Sequence, residues 1–449
     1  MAERGDAAIR GLAGARVLVL GLGLSGQSAA AFCAERGASV VAADERPAEA
    51  VGAPPPGVEP WLGRAFPDPA DFDLVVPSPG VAPERYRSRA RRVCGDVELC
   101  GQALAVPIVA ITGTNGKSTT ATLCAELLRA AGYRAGLAGN VGTPALSLVG
   151  QALDVAVLEV SSFQLEATEA FRPRVAVVLN LSPDHLDRHH TLEAYAEAKA
   201  RLLAHQQADD WAVLNAGDAW FDYFRRAARA RVLPFNASHA PEGGVGLDVG
   251  ELVVRREEGA LRFPFDWREP GLHNRENAVA ASAAAWAFGA DLSRALRALP
   301  GFRALPHRSQ LVARRRGVDF VNDSKATNPG AALRALEGCA SPVVWIAGGR
   351  AKGLDLAPLA QGARTRVRAA LLIGEAAPDL ARALEGGPPV HVEASLEDAV
   401  MRAAGLAEPG DTVLLSPGCA SLDQFSGFEE RGERFCAAAL ALDGAEEPA

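Results

Sequence analysis

Lysine is almost missing from this chain. Its 46 basic residues include only four lysines, Lys117, Lys199, Lys325 and Lys352, among 42 arginines. A codon bias explains the general replacement, because arginine serves wherever only positive charge is needed. Such a bias spares positions where a guanidinium cannot do the work of a primary amine. Metal-type cysteine spacing is missing too. The seven cysteines are scattered, with no C-x-x-C pair and no Cys/His cluster at zinc spacing. That excludes a zinc ribbon and fits a reducing, cytoplasmic compartment. No run of eighteen apolar residues occurs, so no membrane insertion is expected. The first residues lack the apolar core of a signal peptide. Basic excess is also lacking. A net charge of -8 argues against nucleic acid as a general partner. It still allows a local cationic pocket for a small phosphorylated ligand.

What is present is enough apolar residue to build real cores, 49% against 22% charged. The 449 residues suffice for about two to four domains. Short apolar runs alternate with helical stretches in three blocks, the pattern of parallel α/β sheets. The first block, 1–101, has strands at 17–20, 39–43 and 74–76. The second, 102–304, has strands at 106–111, 155–160 and 175–179, helical spacing at 192–205 and 273–288, and a short β excursion at 245–266. The third, 305–449, has strands at 319–321, 343–346, 370–373 and 412–415, with a frayed tail expected from 443.

The sharpest local signal is Thr112-Gly113-Thr114-Asn115-Gly116-Lys117-Ser118-Thr119, between an apolar strand and a helix. Glycines let backbone N–H groups close on phosphate oxygens, and the helix N-terminus adds partial positive charge. Lys117 would reach the β/γ-phosphates, and Ser118 or Thr119 would bind Mg2+. Ile111 stands where the full phosphate-loop pattern has its first glycine. Gly21-Leu22-Gly23-Leu24-Ser25-Gly26, with Asp44 after the next strand, points to a diphosphate on the first helix. With a second phosphate loop in the chain, a nucleotide-linked substrate suits this turn better than a nicotinamide. Glu159 ends a central strand, where a carboxylate can hold a metal beside the phosphate loop. From that residue alone, a solvated strand-end carboxylate is an equal reading. Residues 180–189 pack Asp184, Asp187, His185 and His189 into one loop after a strand.

The lysines follow the same logic. Lys117 lies in the phosphate loop. Lys325 and Lys352 directly follow strands, where open α/β sheets bind ligands. Lys199 sits on a predicted helix, and a solvated face is the ordinary reading for it.

Together these motifs resemble the Mur ligase family over nearly the whole chain. They are Gly21–Gly26, Ser78-Pro79-Gly80, Thr112–Thr119, Gly139-Asn140-Val141-Gly142, 159–164, 180–189, His273-Asn274 with Asn277, His307-Arg308, 322–328 and 416–432. No Asp-Asn-Pro-Arg run of the diaminopimelate- or lysine-adding members occurs. Asn322-Asp323-Ser324-Lys325-Ala326-Thr327-Asn328 and Ser421-Leu422-Asp423-Gln424-Phe425 look like the D-glutamate-adding member. The resemblance implies three α/β domains: a Rossmann-like UDP-substrate domain, a central P-loop ATPase-type domain, and a Rossmann-like amino-acid domain. It implies an ATP-dependent amide ligase of cytoplasmic peptidoglycan precursor synthesis, acting as a monomer through an acyl phosphate on UDP-N-acetylmuramoyl-L-alanine. In that pattern Lys117, Glu159, His185 and Lys199 are catalytic. Ser118 and Glu159 hold one Mg2+ or Mn2+ ion. His185 and Lys199, the latter as a CO2-derived carbamate, hold a second. Residues 113–119 with Asn277, Arg308 and Asp323 bind ATP. Leu24, Ser25, Asp44, Arg46, Gly80, Asn140 and His185 bind the UDP-sugar. Lys325, Thr327, Lys352, Ser421 and Phe428 take D-glutamate. Ala351, Gln310 and Ser426-Gly427 depart from the family's usual residues. Other readings are a family ligase for another amino acid, or a nucleotide-driven binding module.

Overall fold

Val/Leu/Ala runs of four to seven residues are too short for buried helices and become strands covered on both faces. The computed structural model describes residues 11–447 except 141, 269–270, 304, 340–341 and 352. Lys352 and Val141 therefore lie outside the described residues. The first sheet contains β1 (Arg16–Leu20), β2 (Ser39–Asp44), β3 (Val58–Leu62) and β4 (Leu74–Pro77). Its order is β3-β2-β1-β4 and every pairing is parallel.

The second sheet has β5 (Ile108–Thr112), β6 (Ala135–Gly139), β7 (Val155–Glu159), β8 (Val175–Val178), β9 (Trp211–Asn215), β10 (Arg231–Asn236), β11 (Val245–Asp248), β12 (Glu251–Arg256) and β13 (Gly259–Pro264). Its order is β13-β12-β11-β10-β9-β8-β5-β7-β6, with β5 at the crossover. The expected β excursion is the antiparallel ribbon β11–β13 on one edge. The third sheet has β14 (Gln310–Arg315), β15 (Val318–Asn322), β16 (Val343–Gly348), β17 (Val367–Ile373), β18 (Val390–Val392) and β19 (Thr412–Gly418), ordered β14-β15-β19-β16-β17-β18. Only β14 is antiparallel to its neighbour.

The chain divides into two compact bodies. Residues 1–181, 193–267 and 276–301 form one, holding the first two sheets; residues 182–192, 268–275 and 302–449 form the other. The border drawn at 101/102 falls inside the helix Asp96–Ala103. That helix is pinned to the second sheet's layer: Gly95 N donates to Ala167 O at 2.9 Å, and the buried Glu98 Oε2 accepts from Glu169 N at 2.8 Å and Ala170 N at 3.0 Å. The helical spacing at 192–205 is shorter than expected, ending at Ala200 before a run of turns. The tail is not frayed from 443. Glu446 and Arg314 exchange two backbone hydrogen bonds of 2.8 Å, extending the third sheet's edge. Among the described residues no helix is long and apolar enough to cross a membrane.

Candidate active site

The carboxyl end of β5 delivers the 112–119 loop, and the helix Lys117–Ala130 starts on it. Gly113 (φ +155) and Gly116 (φ +82) adopt backbone angles that favour glycine. A β-carbon on Gly113 would lie 2.9 Å from Leu179, and one on Gly116 would lie 2.2 Å from Asn277 Oδ1. Asn277 also accepts from Thr120 Oγ1 at 3.3 Å, so the predicted ATP residue on the later helix lies directly over the loop. Lys117 Nζ folds back on the loop and donates to Gly113 O (3.0 Å) and Thr114 O (2.8 Å). Ser118 and Thr119 are buried in the first helical turn. Asn180 is a residue whose role the sequence reading missed. Its Oδ1 accepts from Asn115 N at 2.9 Å, its Nδ2 donates to Asn115 O at 3.1 Å, and its backbone O accepts from Thr114 N at 2.9 Å. Its position directly after β8 was the available signal.

Glu159 closes β7 between β5 and β6, opposite Ile111 and Gly139. Asn140 Nδ2 donates to its Oε1 at 3.0 Å. Its Oε2 is buried with no hydrogen-bond partner. A buried carboxylate oxygen left open beside a phosphate loop suits a metal ligand better than a solvated side chain. Lys199 is likewise no solvated helix lysine. It is 1% exposed. Its Nζ donates to Gly113 O at 2.9 Å and stands 4.3 Å from the centre of the Tyr195 ring. So Lys117 and Lys199 meet on the same carbonyl. Among the described residues, no cluster of three His, Cys, Asp or Glu is set to hold a metal unaided.

In the first sheet, Asp44 ends β2 and is held on three sides. Leu22 N donates to Oδ2 at 2.8 Å, and Arg46 grips both oxygens through Nε (3.0 Å) and Nη2 (2.8 Å). The Arg46 hydrogen bonds chiefly hold the Asp44 carboxyl down at about 2, against the opposing effect of burial. Ser78 Oγ donates to Gly21 O at 2.7 Å and closes the turn. Leu24 and Gly80 are exposed, and Ser25 is half-buried.

The second body carries the other predicted residues. His185 (φ +55) opens a short helix and its N donates to Asp184 Oδ1 at 2.9 Å. The other Asp184 oxygen accepts from Asn328 Nδ2 at 2.9 Å. His307 (φ +61) and Ser309 (φ +48) flank Arg308 in a strained turn. Gln310 Oε1 accepts from His307 N at 3.0 Å, so this departure from the family keeps a working contact. Asp323 is half-buried, accepting from Ser309 N (3.1 Å) and Ser416 Oγ (3.0 Å). Desolvation pushes its carboxyl up to about 7, against the pull of those bonds and of the Arg308 charge. Lys325 Nζ sits 3.6 Å from the centre of the Phe428 ring. Ser324 Oγ donates to Phe428 O at 2.8 Å. Thr327 N donates to Lys325 O, and buried Ser421 starts a turn that accepts from Phe425 N. Arg431, which nothing in the sequence singled out, is completely buried. It donates to Ser324 Oγ (3.0 Å), Ser324 O (2.8 Å) and Cys419 O (3.2 Å), tying together the loops after β15 and β19.

Residues 111–285 match the family model described as Mur ligase middle domain, and residues 307–419 that described as Mur ligase, glutamate ligase domain. The chain is 42% identical over 453 residues to the UDP-N-acetylmuramoylalanine--D-glutamate ligase of Geobacter metallireducens, covering 97% of this chain and 100% of that one. It is 42% identical over 447 residues to the protein of the same name from Myxococcus xanthus, covering 94% of this chain and 98% of that one. Among solved structures, MurF from Acinetobacter baumannii shares the fold at a TM-score of 0.60 and 18% identity, covering 96% of this chain and 92% of that one.

Proposed function

The chain belongs to the Mur ligase family, among its UDP-N-acetylmuramoylalanine--D-glutamate ligases, and from that premise we propose how its residues join D-glutamate to UDP-N-acetylmuramoyl-L-alanine. Joining a carboxylate to an amine is uphill in water, so the carboxylate is first activated. One of its oxygens attacks the γ-phosphorus of ATP, ADP leaves, and an acyl phosphate forms. The D-glutamate nitrogen then attacks the carbonyl carbon and loses a proton. Phosphate departs with the C–O bond electrons, leaving the amide. Positioning and charge neutralisation do most of this work.

The observation that carries the reading is the open, buried Glu159 Oε2 at the strand end beside the phosphate loop. Glu159 and Ser118 would hold one Mg2+, which neutralises phosphate charge when bound. Lys117, now folded on Gly113 and Thr114, would turn to the β/γ-phosphates. Lys199 would carry a carbamate. Its burial supports a task beyond surface charge, and a carbamate converts its amine into an anionic metal ligand. His185 is proposed as the partner ligand on its motif alone. Asn277, Arg308 and Asp323 would bind ATP. Leu24, Ser25, Asp44, Arg46, Gly80 and Asn140 would take the UDP-sugar. Lys325, Thr327, Lys352, Ser421 and Phe428 would take D-glutamate, whose two carboxylates call for cations and hydroxyl donors. We place the reaction in the cytoplasm, in a monomer of three domains divided near 101/102 and 304/305. The test is ADP and phosphate release across a panel of amino acids, with the amide product identified by mass. Release that needs both UDP-N-acetylmuramoyl-L-alanine and D-glutamate supports the reading. Turnover with L-lysine or diaminopimelate instead rejects the substrate, and ATP loss without a new amide rejects the ligase.

A further inference from the structure

Asn322 opens a motif whose later members Asp323, Lys325 and Thr327 take substrate roles above, yet it has none itself. It ends β15 and is fully buried. The orientation of its amide is fixed from both sides. Oδ1 accepts from Ser324 N at 3.0 Å, a group that can only donate. Nδ2 donates to Gly432 O at 3.0 Å, a group that can only accept. The same Nδ2 lies 3.0 Å from His307 Nδ1 and 3.1 Å from Cys436 Sγ.

An amide nitrogen is a donor only. His307 Nδ1 therefore has to be the acceptor, which places the ring proton on Nε2. A proton on Nδ1 would set two donors face to face in a buried space, at the cost of a lost hydrogen bond. Burial also pushes the imidazole down, and the Lys325 charge acts in the same direction, against Glu433 and Glu429. The ring is thus held neutral and in one tautomer.

The seat of this ring connects it to the amino-acid residues. Gly432 makes room for it: a β-carbon there would lie 2.2 Å from His307 Nδ1. Phe428 lies one turn before Gly432, on the same face of the helix Phe428–Leu440. It meets the His307 ring edge to face, with 6.2 Å between centres and 77° between planes. Lys325 Nζ sits 3.6 Å from the centre of that Phe428 ring, and Lys325 N donates to His307 O at 3.1 Å. His307 therefore touches two of the residues assigned to D-glutamate. An imidazolium here would place a second cation beside the Lys325 ammonium.

We propose that Asn322 is a positioning residue for the amino-acid site: it locks His307 as the neutral Nε2–H tautomer against Gly432, and the locked ring holds Phe428 and Lys325 where D-glutamate binds. The proposal rests on the function given above. Asn322→Asp keeps an acceptor for Ser324 N but puts an oxygen opposite Nδ1, which invites a proton there. His307→Asn does the reverse. It keeps an acceptor for the Asn322 amide and suits the backbone at φ +61, but removes the ring from Phe428.

The experiment records nitrogen NMR shifts of the histidine rings in the full-length protein at neutral pH, with His307 assigned by the signals lost in His307→Asn. KM for each of the three substrates is measured alongside. Wild type should show an unprotonated Nδ1 and a protonated Nε2, and Asn322→Asp should show a protonated Nδ1. Both variants should raise KM for D-glutamate about tenfold, the scale of one lost buried hydrogen bond, with KM for UDP-N-acetylmuramoyl-L-alanine within about twofold. A protonated Nδ1 in wild type would overturn the lock. Unchanged KM for D-glutamate in the variants, or equal changes in all three KM values, would overturn the positioning role. If Asn322→Asp does not fold, the wild-type shifts and His307→Asn decide both points. Wild-type protein that shows the expected tautomer but does not turn over D-glutamate would instead reject the function on which the proposal rests.

Discussion

Asn277 closes over Gly116 so tightly that no side chain fits between them: a β-carbon on Gly116 would lie 2.2 Å from Asn277 Oδ1. The backbone there also has φ +82, a region that costs an L-residue about 1–2 kcal/mol. Gly116→Ala should therefore push the loop and Asn277 apart. Displacement by about 1 Å at a phosphate site can cost about 100-fold in rate. The expected outcome is a loss of that order in kcat/KM for ATP, with KM for D-glutamate little changed. Steady-state kinetics with each substrate varied in turn checks it, and wild-type kcat/KM for ATP would show that the loop tolerates the side chain.

Lys199 gives the second prediction. Its amine is buried against Gly113 O, next to the phosphate loop. A carbamate forms from a neutral amine and CO2, which a guanidinium cannot supply. Lys199→Ala and Lys199→Arg should both lose most activity, about 100-fold or more for removal of a metal ligand. A small carboxylate in the buffer should partly restore the alanine variant but not the arginine variant, which fills the space. Labelled CO2 should give a carbamate carbon signal in wild type that is missing from both variants. Wild-type rates in Lys199→Arg would refute the role.

The lysine count made Lys199 suspect, yet its environment could not be read from the chain. Burial of a helix lysine is set by what packs on it, and here that is a loop 86 residues away. The same distinction separates the rest of the fold. Strands rich in Val, Ile and Leu, such as β1, β5, β7 and β8, are legible because both of their faces are covered. β3 (VEPWL), β14 (QLVARR) and the three-residue β18 are edge strands with polar or proline positions, and β6 (AGLAG) is built of small residues. Their periodicity is too weak to announce them. In the site, Lys117, Glu159 and Asn277 carried motifs. Asn180 acts through hydrogen bonds to residues distant in sequence, and no local pattern encodes such a partner.

Asp323 predicts a pH signature. An ordinary Asp titrates near 3.8, and burial raises this one to about 7. The folded state thus binds the proton more tightly than the unfolded chain does. The contribution to stability is fully present below about 3.8 and is lost as pH rises through about 7. Relative to Asp323→Asn, which does not titrate, wild-type protein should lose stability between pH 4 and 7, by at most about 1.4 kcal/mol per pH unit. His273, whose imidazole is pushed down to about 4 by burial, acts in the opposite direction at acid pH. It is common to both proteins and cancels in the difference. Denaturant midpoints of the pair across that range make the measurement, and parallel curves would reject the shift.

Arg431 is the last case, a guanidinium with no exposed surface. Desolvation lowers it to about 10, so it stays charged at neutral pH. Its hydrogen bonds go to Ser324 Oγ, Ser324 O and Cys419 O, and no carboxylate bonds to it among the described residues. Arg431→Met keeps much of the volume but leaves those three oxygens without this donor. Truncating one side of a buried charged network costs about 3 kcal/mol. Arg431→Lys keeps the charge, yet a single ammonium cannot reproduce the planar fork that reaches both loops. Its loss should fall between wild type and Arg431→Met. Because the fork joins the loops after β15 and β19, both variants should also raise KM for D-glutamate more than KM for ATP. Equilibrium unfolding ranks the stabilities. Arg431→Met as stable as wild type would mean that water replaces the guanidinium at those oxygens and that the two loops hold their places without it.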